Sequence, residues 1–209
     1  TTYYFRVGAY NHNSVPNYSA VLATRTLNSP KTWTGATNSL WNTATNWSPS
    51  GVPGRNDSVT IGITANVSAV GTAINFSSLT VGSPAGLVTA LTLSTTVASG
   101  GDVLIYGQSG LTLATTYTIR IGGDLVLVKG SSLSHRNNAT LQNFAAILDV
   151  TGLFELRSGA TMTAVGRGFN GGAANLAGAG PGDGGGTSLN NTGGGGGGHG
   201  GAGSAGTGG

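Results

Sequence analysis

Short stretches that alternate apolar and polar residues recur through the middle of the chain. Five of them share a similar order of residues, and their first residues lie 21, 24, 22 and 28 positions apart. The later stretches continue through a small-residue turn into a second apolar stretch. A period of two predicts β-strands, and the spacing predicts a repeating unit made of a strand, a corner and a second strand. The units begin at Asp57, Ser78, Asp102, Asp124 and Gly152.

A single unit of this size cannot bury its aliphatic side chains alone. Stacked about 4.8 Å apart, consecutive units pair their backbones and cover one another's core faces. The pattern therefore predicts an all-β protein built on a right-handed parallel β-helix over residues 57–165. A β-sandwich is the competing arrangement, because strands at this spacing can also pair antiparallel. The Gly-Asp and Ser-Gly-Ala corners favour the solenoid.

Residues 1–27 alternate in two runs separated by a polar turn at 11–17, which predicts one hairpin. The segment resembles the last two strands of a fibronectin type III domain, about a quarter of such a domain. The residues that carry this resemblance are Thr2, Tyr4, Val7, Ala9, Tyr10, Asn11, Ser19 and Thr26. A lone hairpin is marginal in water, so we expect it to pair with a neighbouring domain or to add a strand to another subunit. The expected assembly residues are Tyr3, Tyr4, Phe5, Val7 and Tyr10.

Residues 28–56 are interpreted as a linker and a tryptophan-rich cap. They begin a motif that reads Trp33-Thr-Gly35, Trp41, Asn46-Trp47, Pro53 and Asp57-x-Val59-x-Ile61. This motif resembles the opening of the β-helix repeats in autotransporter-like and giant adhesin-like bacterial surface proteins, and the resemblance implies a fold and a surface setting without implying chemistry. Two roles are open for Trp33, Trp41 and Trp47: stacking on sugar rings, or sealing the exposed first turn of the solenoid.

Residues 166–209 are rich in glycine and include the run 193–198. Two interpretations are open for this segment. Glycine gives up the most entropy on ordering, which favours a flexible linker. A bundle of polyglycine II helices is the other interpretation, and the segment is similar to glycine-rich domains in some bacterial surface proteins.

Composition narrows the function classes. Only 7% of the residues are charged, 39 are glycine, and there is no cysteine, so disulfides and thiol chemistry are excluded. The formal charge of +3 is dispersed, which argues against a nucleic-acid partner. No apolar run is long enough to span a membrane. The first and last residues read as the middle of strands or tracts, so we expect a piece of a longer protein.

Candidate chemistry is sparse. Asp102 and Asp124 occupy equivalent positions, as the calcium-binding aspartates of pectate-lyase-like enzymes do; the alternative is that each caps a turn by accepting backbone hydrogen bonds. The histidines, His12, His135 and His199, are too far apart in sequence to suggest a shared metal site. No catalytic, metal or cofactor residue is predicted. A threonine-rich face that includes Thr92, Thr112 and Thr118 suggests, as a minor hypothesis, binding to ice or mineral.

The sequence thus predicts a non-catalytic structural or adhesive segment of a large secreted or cell-surface bacterial protein. Self-association, contacts with neighbouring domains of the same long protein, and an extracellular filament or surface layer are the expected settings. The alternative is a β-helix that binds or cleaves polysaccharide.

Overall fold

The computed structural model describes residues 2–5, 8–10, 13–14, 16–18, 22–25, 29–172, 176, 178 and 179. Across these residues the chain forms 20 β-strands and a single-turn 3-10 helix, Ala44–Asn46, with no α-helix. No helix within these ranges is long and apolar enough to cross a membrane.

Parallel sheets stack into a β-solenoid of about 4 turns, which confirms the predicted fold class. The right-handed sense of the coil stays a prediction. The first face contains β7 (Asp57–Ile61), β10 (Ser78–Val81), β13 (Val103–Ile105), β16 (Leu125–Leu127) and β19 (Phe154–Leu156). The second contains β8 (Ala65–Val70), β11 (Thr89–Ser94), β14 (Gly110–Leu113), β17 (Ser132–His135) and β20 (Thr161–Thr163). The third contains β9 (Ile74–Phe76), β12 (Val97–Ser99), β15 (Ile119–Ile121) and β18 (Leu148–Val150).

In-register pairing builds the core. On the first face Val59 pairs with Leu79, which pairs with Val103 and so on along the solenoid, and these side chains are buried. Each buried aliphatic side chain contributes roughly 1.5–3 kcal/mol relative to exposure. The columns of like residues therefore explain why the turns stack with no slip: moving one strand by one residue would send its apolar side chains to the outer surface.

Two details differ from the sequence prediction. Each complete turn has three strands, whereas the sequence predicted two. The third strand is only three residues long, which is too short to show an alternating pattern in the sequence. The last unit is also displaced by one residue, since Leu125 pairs with Phe154 and not with Leu153. The segment 136–147, which connects β17 to β18, contains no repeat signal that would set this register.

The start of the described chain is antiparallel. Strand β1 (Thr2–Phe5) pairs with β4 (Leu22–Arg25), and β2 (Gly8–Tyr10) pairs with β3 (Pro16–Tyr18), as a hairpin requires. The expected assembly residues Tyr3, Tyr4 and Phe5 lie in β1 and Tyr10 lies in β2, whereas Val7 is outside the described residues. The likeness to a fibronectin domain stays a prediction.

Beyond β20 the chain continues alongside the preceding turn. Ala139 forms a parallel bridge with Phe169, and the Asn170 amide donates to the Ala139 carbonyl at 2.8 Å. Most of the glycine-rich segment 166–209, and with it the polyglycine II prediction, lies outside the described residues.

Candidate functional site

The first turn of the solenoid is covered by residues 29–48. Strand β5 (Ser29–Trp33) pairs parallel with β7, and β6 (Trp47–Ser48) pairs antiparallel with β5. On the second face, the Trp41 amide donates to the Ser68 carbonyl at 2.9 Å. These bonds occupy the strand edge that the first full turn would otherwise expose, as a terminal capping unit must.

The three indoles pack into one cluster. The ring of Trp47 lies edge-on to Trp33 at 4.9 Å and to Trp41 at 4.8 Å, and Trp41 lies 5.8 Å from Phe76 of the first turn. The Trp47 Nε1 donates to the Trp41 carbonyl at 2.8 Å. Each such aromatic pair adds about 0.5–1.5 kcal/mol beyond area burial.

The burial of the three tryptophans distinguishes between their two possible roles, stacking on sugar rings and sealing the first turn. Trp33, Trp41 and Trp47 expose 2%, 0% and 2% of their surface, so none offers a ring face on which a sugar could stack. The packing supports the sealing role. Trp41 Nε1 is buried and has no hydrogen-bond partner within the described part of the chain, so ring packing has to outweigh about 1–3 kcal/mol for this group.

Asn46 organises the cap. Its side chain is fully buried, and its Oδ1 accepts from the amides of Thr37 at 2.9 Å and Asn38 at 3.1 Å. Its Nδ2 donates to Asn38 Oδ1 at 2.8 Å and to the Leu40 carbonyl at 2.9 Å. One carboxamide thus satisfies four bonds, which no aliphatic side chain or single-acceptor side chain can do.

The two equivalent aspartates hold neighbouring turns together. Asp102 Oδ1 accepts from the Asp124 amide at 2.9 Å, and Asp124 Oδ1 accepts from the Leu153 amide at 2.8 Å. The residue before each donating amide must be glycine, because a Cβ at Gly123 or Gly152 would collide with the carboxylate of the turn before it and lie 2.8 Å from backbone atoms. Asp102 and Asp124 therefore act as backbone acceptors, which supports the turn-capping interpretation.

The groups that could bind metal are dispersed. Across the described ranges, no three His, Asp or Glu side chains come close enough together to hold a metal ion. His135 lies at the end of β17, where its Nδ1 is 2.9 Å from the Arg136 carbonyl oxygen, whereas His12 and His199 fall outside the described residues.

The second face carries a column of hydroxyl groups on its outer side. Thr92 of β11 is in register with Thr112 of β14, and hydroxyl residues continue the row in both directions. Thr118 lies outside this row, next to β15. No Lys, Arg, Asp or Glu occurs in the five strands of this face. The hydroxyl column consists of Ser68, Thr92, Thr112, Ser134 and Thr163.

A groove of about 540 Å³ lies where the third face meets the loop that leaves the cap. The loop contributes Pro53, Gly54 and Arg55, and the third face contributes Asn75, Phe76 and small residues. This volume is in the range of small-ligand sites, and Arg55 is the only charged residue among those that line the groove. Sequence reasoning missed this groove, because the isolated Arg55, two residues after Pro53, belongs to no repeat.

The ion pairs found among the described residues are exposed. Arg120 lies 3.8 Å from Asp149, with about two thirds of each side chain exposed, so this pair contributes little. Arg157 donates to both carboxylate oxygens of Glu155, and this hydrogen bonding raises the pKa of the Arg157 guanidinium.

Comparison with protein families, curated proteins and solved structures finds no match to this chain.

Proposed function

We propose that this chain is a non-catalytic structural or adhesive segment of a large secreted or cell-surface bacterial protein. The observation that carries the proposal is the continuous in-register stacking of all three faces behind a sealed first turn. Such a stack makes a rod with repeating outer surfaces, and repeat architectures commonly use extended surfaces of this kind for binding or spacing.

The use of the aspartates supports the non-catalytic half of the proposal. In a lyase, stacked carboxylates would direct their oxygens to a metal ion or a substrate proton. Here one oxygen of Asp102 and one of Asp124 accept backbone amides from the following turn. These bonds give both residues a structural role that needs no substrate.

Self-association and extracellular location belong to the same proposal. The antiparallel strands of residues 2–25 provide main-chain edges to which a neighbouring domain or subunit can add. A low content of charged residues, 7%, suits packing of repeated units against one another better than it suits a highly solvated monomer.

Electron microscopy of the native material tests assembly, and a calcium-dependent depolymerisation assay on acidic polysaccharides tests catalysis. We expect ordered filaments or lattices and no depolymerisation. Calcium-dependent cleavage that is lost in Asp102→Asn, with secondary structure unchanged by circular dichroism, would overturn the proposal. Isolated rods without cleavage would remove the filament and leave the adhesive role.

A further inference from the structure

The groove beside Arg55 has a rigid wall. Gly54 donates its amide to Asp57 Oδ2 at 2.8 Å, and the Asp57 amide donates back to the Gly54 carbonyl at 2.9 Å. The Asn56 carbonyl accepts from the Ser29 amide at 3.3 Å, which ties the turn to the first strand of the cap. Arg55 therefore stands at the tip of a turn whose backbone is already fixed, and pre-organisation of this kind reduces the entropy lost on binding.

The guanidinium at this tip is uncommitted. Arg55 is exposed, and it makes no hydrogen bond or ion pair with any part of the described chain. Three other arginines are engaged: Arg120 faces Asp149, Arg157 faces Glu155, and Arg136 lies 5.5 Å over the Phe144 ring. An arginine presents a planar set of donors that matches a carboxylate in a bidentate pair.

The floor of the groove consists mainly of small residues. Ala73, Ala98 and Gly100 line it with side chains no larger than a methyl group, beside Ser99 and the buried Phe76. The exposed Asn75 carboxamide, next to Ala98 in the register of the third face, supplies a donor and an acceptor suited to hydroxyl groups. Arg55 is thus the one charged residue that lines the groove, the floor is small and partly apolar, and Asn75 supplies an amide. Charge complementarity therefore selects an anionic ligand, and the amide selects one that also carries hydroxyls.

We propose that this groove binds a carboxylate-bearing saccharide, with Arg55 pairing with the sugar carboxylate and Asn75 contacting its hydroxyls. Asp57 is a positioning residue, because it holds the turn that presents Arg55. The inference deepens the proposed adhesive function by naming a ligand class, and to that extent it rests on that function.

Isothermal titration of the full chain with tetragalacturonate, with its methyl-esterified form and with sialyllactose tests the groove. We expect at least one acidic probe to bind and the esterified probe to bind at least about tenfold more weakly. Arg55→Gln is expected to weaken acid binding by a similar factor, and Ala98→Leu, which fills the floor, is expected to weaken it as well. Arg136→Gln removes the same charge elsewhere and serves as the matched control.

Thermal unfolding of each variant guards against misfolding, and Arg55→Gln is expected to keep the wild-type midpoint because the side chain is exposed. The inference is overturned when neither acidic probe binds, when the ester binds as well as the acid, or when Arg55→Gln and Arg136→Gln behave alike. These outcomes leave the microscopy and depolymerisation results unaffected. Failure of the groove is therefore distinguishable from failure of the proposed function.

Discussion

Replacing Asn46 with alanine is expected to destabilise the cap more than any other single asparagine change in it. The substitution removes four hydrogen bonds at once and leaves the amides of Thr37 and Asn38 and the carbonyl of Leu40 without their partner. Each lost bond is worth about 0.5–1.5 kcal/mol. Because these backbone groups lie near the surface and can rehydrate in part, we expect a total loss of about 2–4 kcal/mol in the free energy of unfolding.

Two companion variants isolate the cause. Asn42→Ala removes one exposed hydrogen bond, from Asn42 Nδ2 to the Val70 carbonyl, and is expected to change stability by less than about 1 kcal/mol. Asn46→Asp keeps the acceptor for the two amides but aims a carboxylate oxygen at two acceptors, which favours its protonated form and raises its folded pKa above the unfolded value of about 3.9. The stability of Asn46→Asp is therefore expected to fall as pH rises from about 4 through the folded pKa.

The assay uses the position of the tryptophans. All 3 tryptophans of the chain lie in the cap, so their fluorescence reports the cap during urea unfolding, while far-ultraviolet circular dichroism reports the whole solenoid. In a stacked repeat protein the terminal unit can unfold before the rest, and Asn46→Ala is expected to shift the fluorescence transition more than the dichroism transition. Equal effects of Asn46→Ala and Asn42→Ala, or a pH-independent Asn46→Asp, would refute the reasoning.

Three further changes test the stacking itself by equilibrium unfolding. Gly123→Ala places a methyl against the preceding turn and is expected to lower stability by more than about 1 kcal/mol, whereas Gly168→Ala enters open space and should be nearly neutral. Leu125→Ala empties a fully buried position and is expected to lower stability by about 2–5 kcal/mol; Leu141→Ala, at a residue 65% exposed, is its control. Asp124→Ala removes the acceptor of the next turn's amide and should lower stability by about 1 kcal/mol, whereas Asp124→Asn should retain most of it.

The repeat was predictable because burial imposes the same requirement on every turn. Inward positions must be apolar, and apolar residues therefore recur at similar spacings in the sequence. Val59, Leu79, Val103 and Leu125 are examples. The third strand of each turn was not predictable, because three residues contain at most two inward positions. Pattern reasoning therefore identified the solenoid and understated the number of its faces.

The register of the last turn shows which signal was overlooked. Aligning Gly152 with Asp124 gave a unit that is one residue early, whereas the structure places Gly152 where Gly123 lies in the previous turn. Glycine is demanded there by the carboxylate of Asp124, which occupies the space of a Cβ. Aligning glycine with glycine, rather than apolar run with apolar run, would have given the observed pairing of Leu125 with Phe154.

The candidate site was only partly predictable for a related reason. The tryptophans stand out in sequence, but whether an indole is buried or exposed depends on residues that are distant in the chain, such as Phe76, whose ring lies 5.8 Å from Trp41. The Arg55 groove depends on contacts between a loop and the third face. Neither the burial of the tryptophans nor the Arg55 groove leaves a local pattern in the sequence, because each depends on contacts between residues that are distant in the chain.

The two ends of the solenoid bury their cores to different extents. The first turn is sealed, whereas Phe154, Leu156 and Met162 of the last turn are 41%, 42% and 45% exposed, although they continue columns whose previous members are fully buried. Because each turn is stabilised mainly by its neighbours, stability should decrease from the cap toward β19 and β20. Within the described residues the solenoid therefore has one sealed end and one end with partly exposed apolar side chains, and equilibrium unfolding of Leu79→Ala and Leu127→Ala should show the larger loss of stability at the sealed end.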